Sequence, residues 1–146
     1  MIERGSGHIV NFSSMAGVIG VFGYTAYSGA KFAVRGFTEA LRSELKPKGI
    51  KVSIVYPPDT DTPQLAWENQ YKPFETREIA GSDKPLPPSV VADETLSAIA
   101  RGRYKVVPGF EAKLIYFVST LLGTGINPIF DFLISRASKK KARLDK

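Results

Sequence analysis

The stretch that decides the fold is residues 7–56, GHIVNFSSMAGVIGVFGYTAYSGAKFAVRGFTEALRSELKPKGIKVSIVY. Its residues 8–13 are apolar in the middle and bounded by glycine and serine, which predicts a buried strand. Residues 14–23 contain three glycines and predict a loop. A helical pattern follows, and residues 50–56 then predict a second strand, ended by two prolines. Strand, helix and strand in this order are typical of a parallel βαβ unit.

The helix of this unit has the clearest periodicity in the chain. Its apolar residues recur at three- and four-residue steps and its polar residues take the other side, which predicts an amphipathic helix. Pro47 and Gly49 end it. The apolar set is Ala33, Phe37, Ala40, Leu41 and Leu45, and the polar set is Glu39, Arg42, Ser43 and Lys46.

Residues 57–88 have a different character, since they hold seven of the ten prolines and show little periodicity. A loop of this length within a compact domain is usually a lid or a binding loop, so we expect a substrate loop here. Its aromatic residues Trp67, Tyr71 and Phe74 have two open interpretations. They line an apolar pocket, or they cap the edge of the core.

The pattern returns to regular elements after this segment. Pro88 suits a first helical turn, and the helix that follows presents Val91, Thr95, Ala98 and Ile99 on one face. Residues 104–107 then predict a short strand. Strands that alternate with helices predict an α/β fold with a parallel sheet. We therefore expect one unit over residues 1–110 and a separate apolar helical segment over residues 111–146.

The C-terminal segment contains two apolar runs, residues 114–122 and 126–134, interrupted by glycine, asparagine and proline. Neither run reaches the ~20 residues that a straight membrane-spanning helix needs. Three interpretations are open: a helical hairpin that dips into a membrane, two helices that shield a lipid-sized cleft, or helices that pack on the sheet or at a dimer interface.

The net charge of +6 lies mainly in the last twelve residues, which hold six basic residues and one acidic residue. A lysine cluster directly after an apolar stretch suits an anionic membrane surface, so membrane contact is favoured. A solvated, frayed C-terminus is the alternative. Nucleic acid is not expected as a partner, because it would call for a basic face across the folded domain.

Several kinds of site are not expected from the residue types present. The chain has no cysteine, which removes disulfides and thiolate chemistry and fits a reducing compartment. No signal peptide is recognised. The single histidine, His8, is expected to pack near a strand start. Asp59 and Asp61 stand in a proline-rich turn, where aspartate more often forms the turn. No metal site is expected, because no cluster has metal-ligand spacing.

The residues that suggest chemistry are Ser14, Tyr27 and Lys31. Tyr27 and Lys31 are four residues apart at the start of the strong helix, so they share a helical face. Ser14 stands thirteen residues before Tyr27, at the end of the first strand. Ligands of α/β sheets bind at the carboxyl ends of the strands. We therefore expect these three side chains to converge at one sheet edge, together with residues 57–62 after the second strand.

These residue types suit the reduction of a ketone. A free tyrosine has a pKa of about 10, and a lysine ammonium beside the phenol lowers that pKa. General acid catalysis favours such a match between the pKa and the working pH. A serine hydroxyl can hydrogen-bond to the carbonyl oxygen while negative charge develops there.

The segments GHIVNFSSMAG (residues 7–17) and YSGAK (residues 27–31) resemble the active-site region of short-chain dehydrogenases/reductases. The resemblance implies that Ser14 orients the substrate carbonyl, with Ser13 a weaker candidate. It implies that Tyr27 donates the proton and that Lys31 tunes Tyr27 and holds the cofactor ribose. Residues after the second strand would contact the nicotinamide and phosphate, with proline at the usual glycine position. These are Pro57, Pro58, Thr60 and Thr62.

Residues 56–63, YPPDTDTP, and the later Glu68-Asn69, Lys72-Pro73 and Glu75-Thr76-Arg77 resemble the 3-ketodihydrosphingosine reductase subgroup. The resemblance covers about residues 1–108. It implies an NADPH-dependent reductase (NAD is possible) of a long-chain 3-keto sphingoid lipid at a membrane surface. The active site would face the cytoplasm, at the endoplasmic reticulum in a eukaryote; a cytoplasmic protein is the alternative. A homo-oligomer through the helix that carries Tyr27 and Lys31 is also implied.

No Gly-x-Gly-x-x-Gly phosphate loop occurs in the chain. The expected fold is therefore the C-terminal part of a Rossmann-like doubly wound parallel sheet that lacks the N-terminal dinucleotide-binding βαβ unit, followed by apolar helices. Two further functions stay open. One is reduction of another lipid-like ketone, such as a steroid, retinoid or fatty-acyl ketone. The other is a truncated, catalytically inactive membrane-associated fragment.

Overall fold

The computed structural model describes residues 1–80 and 84–144, in which strands and helices alternate along the chain. Three short 3-10 turns join some of the elements, at residues 15–17, 46–48 and 123–126. The elements are β1 (Gly7–Phe12), α1 (Thr25–Leu45), β2 (Ile50–Val55), α2 (Pro63–Tyr71), α3 (Phe74–Ala80), α4 (Pro88–Ala100), β3 (Lys105–Val106), α5 (Phe110–Leu122) and α6 (Asn127–Leu144).

The three strands form a parallel sheet in the order β1-β2-β3. Gly7 pairs with Ile50 at one end of β1 and Phe12 pairs with Val55 at the other. The central strand β2 is buried from Val52 to Val55, as its β-branched, largely apolar sequence requires. The predicted α/β class with parallel strands is confirmed.

Helix α1 ends where the sequence predicts, because Gly49 adopts a left-handed φ of 73° directly after the 3-10 turn. Some of its apolar residues pack in the core and others face outward. Leu45 packs on Ile50 and Val52, with Leu41 beside them, whereas the side chain of Phe37 is 62% exposed. The prediction of a single apolar face is therefore wrong.

A polar residue accounts for this division of α1. Thr38 is fully buried between the helix and the sheet. Its hydroxyl donates to the carbonyl of Val34 at 2.6 Å and accepts from the Asn11 side chain of β1 at 3.0 Å. Because both polar groups are satisfied there, a threonine can take a core position, and Phe37 turns to the outer surface with Ala33 and Ala40.

The segment after β2 is mostly helical, so the predicted long loop is wrong for residues 63–71 and 74–80. Helix α2 begins because the Thr62 hydroxyl accepts from the Leu65 amide at 3.3 Å and Pro63 takes the first helical position. Trp67 and Tyr71 stack in a tilted pair on its surface, with their side chains 61% and 69% exposed. They do not cap the core edge. Residues 81–83 of the predicted substrate loop lie outside the described residues.

Helix α4 and strand β3 follow the sequence prediction closely. Val91, Thr95 and Ala98 are the buried residues of α4. Ala98 packs in a cluster with Val55 and Val106 that closes one side of the sheet. The order β2, α4, β3 completes a second parallel crossover, as the alternation of patterns predicts.

The two C-terminal helices point apolar residues outward. Within Phe110–Leu144, an 18-residue window has a mean hydropathy of 1.4 and is 11% buried, so the stretch is long and apolar enough to cross a membrane by length and composition alone. A left-handed turn at Gly123, with φ 53°, separates α5 from α6. Exposed apolar side chains of the pair include Phe110, Leu114, Ile115, Phe117, Leu121, Ile129 and Phe132.

Helix α6 packs against α3, and α5 and α6 make little contact with each other, so the predicted helical hairpin is wrong. Ser138 donates a hydrogen bond to Glu75 at 3.2 Å, and Lys140 pairs with Glu78 at 2.6 Å. The basic tail is helical to Leu144, so a frayed terminus is wrong for residues 135–144. Asp145 and Lys146 of the predicted tail lie outside the described residues.

Candidate active site

The ends of β1 and β2 are tied together at one edge of the sheet. The Ser13 amide donates to the Val55 carbonyl at 2.8 Å, and the Met15 amide donates to the Pro57 carbonyl at 3.0 Å. The turn that follows β1 therefore lies directly beside the segment that follows β2. This is the common edge that the sequence predicts for the chemistry-bearing residues.

The two candidate serines have different surroundings. Ser13 is buried, and its hydroxyl donates to the Lys31 carbonyl of α1 at 2.9 Å. Ser14 is half-buried, and its hydroxyl accepts from the Ala16 amide at 3.2 Å. The Ser14 hydroxyl also acts to lower the pKa of the Tyr27 phenol. The structure thus places Ser14 beside Tyr27, while the Ser13 hydroxyl anchors the helix.

Lys31 lies beside the aromatic ring of Tyr27. Its Nζ is 5.5 Å from the ring centroid, a cation–π distance. The same ammonium donates to the carbonyl of Phe12, the last residue of β1, at 3.4 Å. The amine therefore bridges the start of α1 and the end of β1.

The pKa of the Tyr27 phenol is raised from its usual value, chiefly because the ring is partly buried. The carboxylates of Glu68 and Asp59 raise this pKa further, and the Ser14 hydroxyl lowers it. The sequence predicts a pKa lowered by Lys31, and this prediction is wrong for the present arrangement. The reason is geometric, since the ammonium lies against the ring and the Phe12 carbonyl rather than at the phenolic oxygen.

An ion pair closes the same edge. Lys72, directly after α2, lies 2.6 Å from the Asp59 carboxylate. The Lys72 side chain is only 10% exposed whereas that of Asp59 is 55% exposed. The pair ties the α2–α3 connection to the segment after β2. The sequence interpretation treated Asp59 as a turn former and gave Lys72 no role; their spacing of thirteen residues carries no signal that they meet.

The α2–α3 connection also packs on the glycine-rich loop before Tyr27. The Thr76 hydroxyl donates to the Phe22 carbonyl at 2.6 Å. A side chain at Gly23, which has a φ of 76°, would collide with Pro73. Helices α2 and α3 are thereby held against the loop that carries Tyr24, whose ring meets that of Tyr27 edge to face with centroids 5.8 Å apart.

The residues predicted to contact a cofactor lie along this edge. The Thr60 hydroxyl donates to the Pro58 carbonyl at 2.9 Å, and Thr62 caps α2. The positive end of a helix dipole therefore stands next to Thr62, which suits phosphate groups. Among the residues that the structure describes, the Lys31 ammonium donates one hydrogen bond, to the Phe12 carbonyl, and has three donors. This set of hydroxyls, helix N-terminus and ammonium fits a phosphorylated ribose cofactor.

His8 belongs to the sheet rather than to this site. Its Nε2 lies 2.7 Å from the Ser53 hydroxyl, and that hydroxyl donates to the Arg103 carbonyl at 2.6 Å, so the ring nitrogen is the donor. Burial lowers the pKa of His8, and Lys51 adds to the effect. In the part of the chain that the structure describes, no three acidic or histidine side chains come together to hold a metal ion.

Comparisons with known proteins point to one family. A family model described as short chain dehydrogenase matches residues 1–72. Over 137 residues the chain is 46% identical to a 3-ketodihydrosphingosine reductase of Dictyostelium discoideum, with 92% of this chain and 41% of that protein covered. It is 44% identical to the 3-ketodihydrosphingosine reductase of Bos taurus over 129 residues, with 88% of this chain and 38% of that protein covered.

A solved structure has the same fold. A short chain dehydrogenase from Burkholderia cenocepacia, in complex with NADP, superposes with a TM-score of 0.67 at 21% identity. The match covers 90% of this chain and 49% of that one. The chain spans about two fifths of the length of the curated relatives named here. The predicted Rossmann-like α/β fold with a parallel sheet is confirmed.

Proposed function

The chain belongs to the short-chain dehydrogenase/reductase family, and on this premise we propose that residues 1–110 form the catalytic half of an NADPH-dependent carbonyl reductase. The observation that carries the proposal is that Lys31 Nζ lies 5.5 Å from the Tyr27 ring centroid at the sheet edge where the turn with Ser14 is tied to the end of β2. Residues 111–146 form a separate apolar helical segment in this proposal.

Tyr27 is the proton donor in the proposed reaction. Its raised pKa keeps the phenol protonated at neutral pH, so a proton is available for the carbonyl oxygen. Ser14 orients that oxygen and donates a hydrogen bond to it while negative charge develops. Lys31 supplies a positive charge on the other side of the ring and fixes the start of α1 to the end of β1. NADPH supplies the hydride when bound.

The cofactor would be held by residues at the same sheet edge. Lys31 and Tyr27 face the ribose in this proposal, and the segment after β2 contacts the nicotinamide and phosphate through Pro57, Pro58, Thr60 and Thr62. Two observations support it: the helix N-terminus capped by Thr62, and the ammonium donors of Lys31. NADPH is the proposed cofactor because a related structure contains NADP, and NAD is the alternative, since another short-chain dehydrogenase/reductase structure contains NAD.

The proposed substrate is 3-ketodihydrosphingosine, a long-chain ketone with an amino group on the neighbouring carbon. Relatives at 46% and 44% identity carry its name. The exposed Trp67 and Tyr71 pair beside the site offers an apolar surface for a hydrocarbon chain. Other lipid-like ketones, such as steroid, retinoid or fatty-acyl ketones, form the second candidate class.

A comparison of substrates tests this function on the full-length gene product. We expect kcat/KM with NADPH to be at least about tenfold higher for 3-ketodihydrosphingosine than for a steroid ketone or a short soluble ketone, because only the sphingoid ketone fills both polar and apolar contacts. NADPH oxidation followed by absorbance measures it. A higher kcat/KM for the short ketone would contradict the proposal of a lipid substrate. The absence of turnover with every ketone would contradict the proposed reductase function.

We also propose that the C-terminal helices lie on a membrane surface, with the active site on the cytoplasmic side, at the endoplasmic reticulum in a eukaryotic cell. The outward apolar residues of α5 and α6 support it, as does the basic end of α6. An apolar face followed by a lysine cluster suits an interface with anionic lipids. The absence of cysteine fits the reducing cytoplasmic side.

Replacing Lys139, Lys141 and Arg143 together by alanine is expected to weaken binding to phosphatidylserine vesicles by roughly 100-fold, since each basic residue near an anionic surface contributes about 1 kcal/mol. Vesicle co-sedimentation measures this binding. Added salt should also weaken the binding of the wild-type protein to the vesicles, because salt screens the charges. Lys46→Ala/Lys48→Ala, in the exposed turn after α1, is the matched control. Equal binding of wild type and triple variant would contradict the proposed role of the tail.

A homo-oligomer through α1 is the last part of the proposal. The outward face of α1 carries the exposed Phe37 and Phe32, with Ala33 and Ala40 beside them. Such an apolar face on a helix is typical of a subunit contact. A native mass equal to that of one chain, measured by light scattering, would contradict it.

A further inference from the structure

Glu68 is the feature of the site that the proposed chemistry leaves unused. It lies on α2, four residues before Lys72, so the two positions follow each other along one side of the helix and its end. Lys72 reaches the Asp59 carboxylate at the sheet edge. The same side of α2 therefore faces Asp59, and the next helix, α3, is bonded through Thr76 to the loop before Tyr27.

The two carboxylates near Tyr27 differ in their partners. Asp59 has Lys72 at 2.6 Å, so its charge is largely compensated. Within residues 1–80 and 84–144 no ion pair involves Glu68. Its Oε1 accepts from the neutral amide of Gln64 at 2.6 Å. A half-buried carboxylate without an ion-pair partner among these residues thus lies on the helix whose end is tied to the site edge.

An uncompensated negative charge at this place works against ketone reduction. The carbonyl oxygen gains negative charge as the reaction proceeds, and a nearby anion raises the energy of that state. A cation that arrives with the substrate would remove this conflict. It would neutralise Glu68 and lie close to the developing oxyanion.

We propose that Glu68 is a specificity-determining residue, which binds the protonated amine of the substrate and so selects long-chain amino ketones over ketones without an amine. The inference rests on the reductase function proposed above. An α-amino group has an ordinary pKa of about 7.7–8.0 and is mostly cationic at neutral pH. It stands one carbon from the ketone, so Glu68 and Tyr27 would bind adjacent groups of one molecule.

The neighbours of Glu68 suit the remainder of such a molecule. Trp67 precedes it and Tyr71 follows it by three residues, and their rings pack 5.0 Å apart with most of their surface exposed. An amphipathic substrate meets both a carboxylate and an aromatic surface on one short helix. Neither a steroid nor a fatty-acyl ketone carries the cation that this arrangement would bind.

The test compares two substrates and two variants in the full-length gene product with NADPH. The substrates are 3-ketodihydrosphingosine and the same ketone with hydrogen in place of the amino group. Glu68→Gln keeps the size of the side chain and can still bind Gln64. It is expected to lower kcat/KM for the amino ketone about 10- to 100-fold, the range for a lost hydrogen bond to a charged group. The amine-free ketone should be reduced as fast as by wild type.

Glu44→Gln is the matched control, since Glu44 is exposed near the end of α1, seventeen residues beyond Tyr27. This variant should leave kcat/KM unchanged for both ketones. An equal loss for both ketones in Glu68→Gln would overturn the proposal, because it would indicate a general disturbance of α2. No loss for either ketone would overturn it as well. If wild type reduced neither ketone, the reductase function itself would fail, which is a distinct outcome.

Discussion

Replacing Tyr27 by phenylalanine is expected to lower kcat for ketone reduction by about 100- to 10,000-fold, the usual contribution of a general acid. The substitution removes the phenolic oxygen and keeps the ring, so the contact with the Lys31 ammonium at 5.5 Å is retained. The edge-to-face packing with Tyr24 is retained too. The loss should therefore fall on the proton transfer rather than on the packing of α1, and single-turnover oxidation of NADPH measures it.

Tyr24→Phe is the matched control for this experiment. Tyr24 lies three residues away, next to the same ring, and its pKa is also raised, mainly by burial. Its hydroxyl has no part in the proposed reaction, so the variant should keep kcat within a few-fold of wild type. A Tyr27→Phe enzyme that reduces the ketone at the wild-type rate would end the assignment of Tyr27 as proton donor.

The raised pKa of Tyr27 also sets the direction of a pH effect. The reduction uses the protonated phenol, so the rate should fall only when the pH passes above the pKa of Tyr27. Because burial and the charges of Glu68 and Asp59 raise that pKa, the alkaline fall should come above pH 10, the usual value for tyrosine. A fall centred near neutrality in the full-length gene product would show instead that the Lys31 ammonium dominates the phenol.

Replacing Ser14 by alanine is the second large effect, with an expected loss in kcat of about 100- to 1,000-fold, as for the removal of one oxyanion donor. The variant loses the hydroxyl that lowers the pKa of Tyr27 and accepts from the Ala16 amide. It should keep the fold, since Ser14 is only half-buried and the turn retains the bond from Met15 to Pro57. Steady-state kinetics measure the loss in kcat, and a melting curve measures whether the fold is kept.

Ser13→Ala gives the contrast that identifies which serine acts. Ser13 is buried and its hydroxyl donates to the Lys31 carbonyl. Its loss removes one hydrogen bond between the end of β1 and α1, while the Lys31 carbonyl keeps its helical partner, and this costs about 0.5–1.5 kcal/mol of unfolding free energy. The variant should therefore melt at a lower temperature and keep most of its kcat. If Ser13→Ala lost more kcat than Ser14→Ala, the two serines would have to exchange roles.

The C-terminal helices connect to this site through α3. Ser138 of α6 bonds to Glu75, and the next residue, Thr76, bonds to the Phe22 carbonyl of the loop before Tyr27. The basic end of α6 and the glycine-rich loop therefore share one short helix as a neighbour. Variants in the tail should be compared with wild type for activity as well as for vesicle binding.

Local sequence patterns determined much of this architecture. Apolar runs of strand length alternate with helical periodicity, and this alternation alone implies parallel strands, because parallel strands need a crossover between them. The position of Ser14 after β1 and of Tyr27 and Lys31 at the start of α1 then follows from chain order. Since carboxyl ends of parallel strands share an edge, the meeting of these residues was predictable.

The tertiary structure alone decided the contacts that depend on three-dimensional packing. It separated Ser13 from Ser14, because one points under α1 and the other towards the phenol. It buried the Tyr27 phenol in part, which raises its pKa, and it placed the Lys31 ammonium against the ring and the Phe12 carbonyl. A sequence gives the spacing of two side chains along a helix, but not the direction in which a long, flexible amine extends.

The segment after β2 is a second case in which the sequence alone did not predict the structure. Its prolines indicated a loop, yet Pro63 at the first position of α2 favours a helix, because that position needs no amide donor. The ion pair of Asp59 with Lys72 arises only when this helix folds back over the sheet edge. Sequence thus set the elements and the reacting groups, and the packing of α2 and α3 decided the charges that surround them, since electrostatic interaction depends on distances that chain order does not fix.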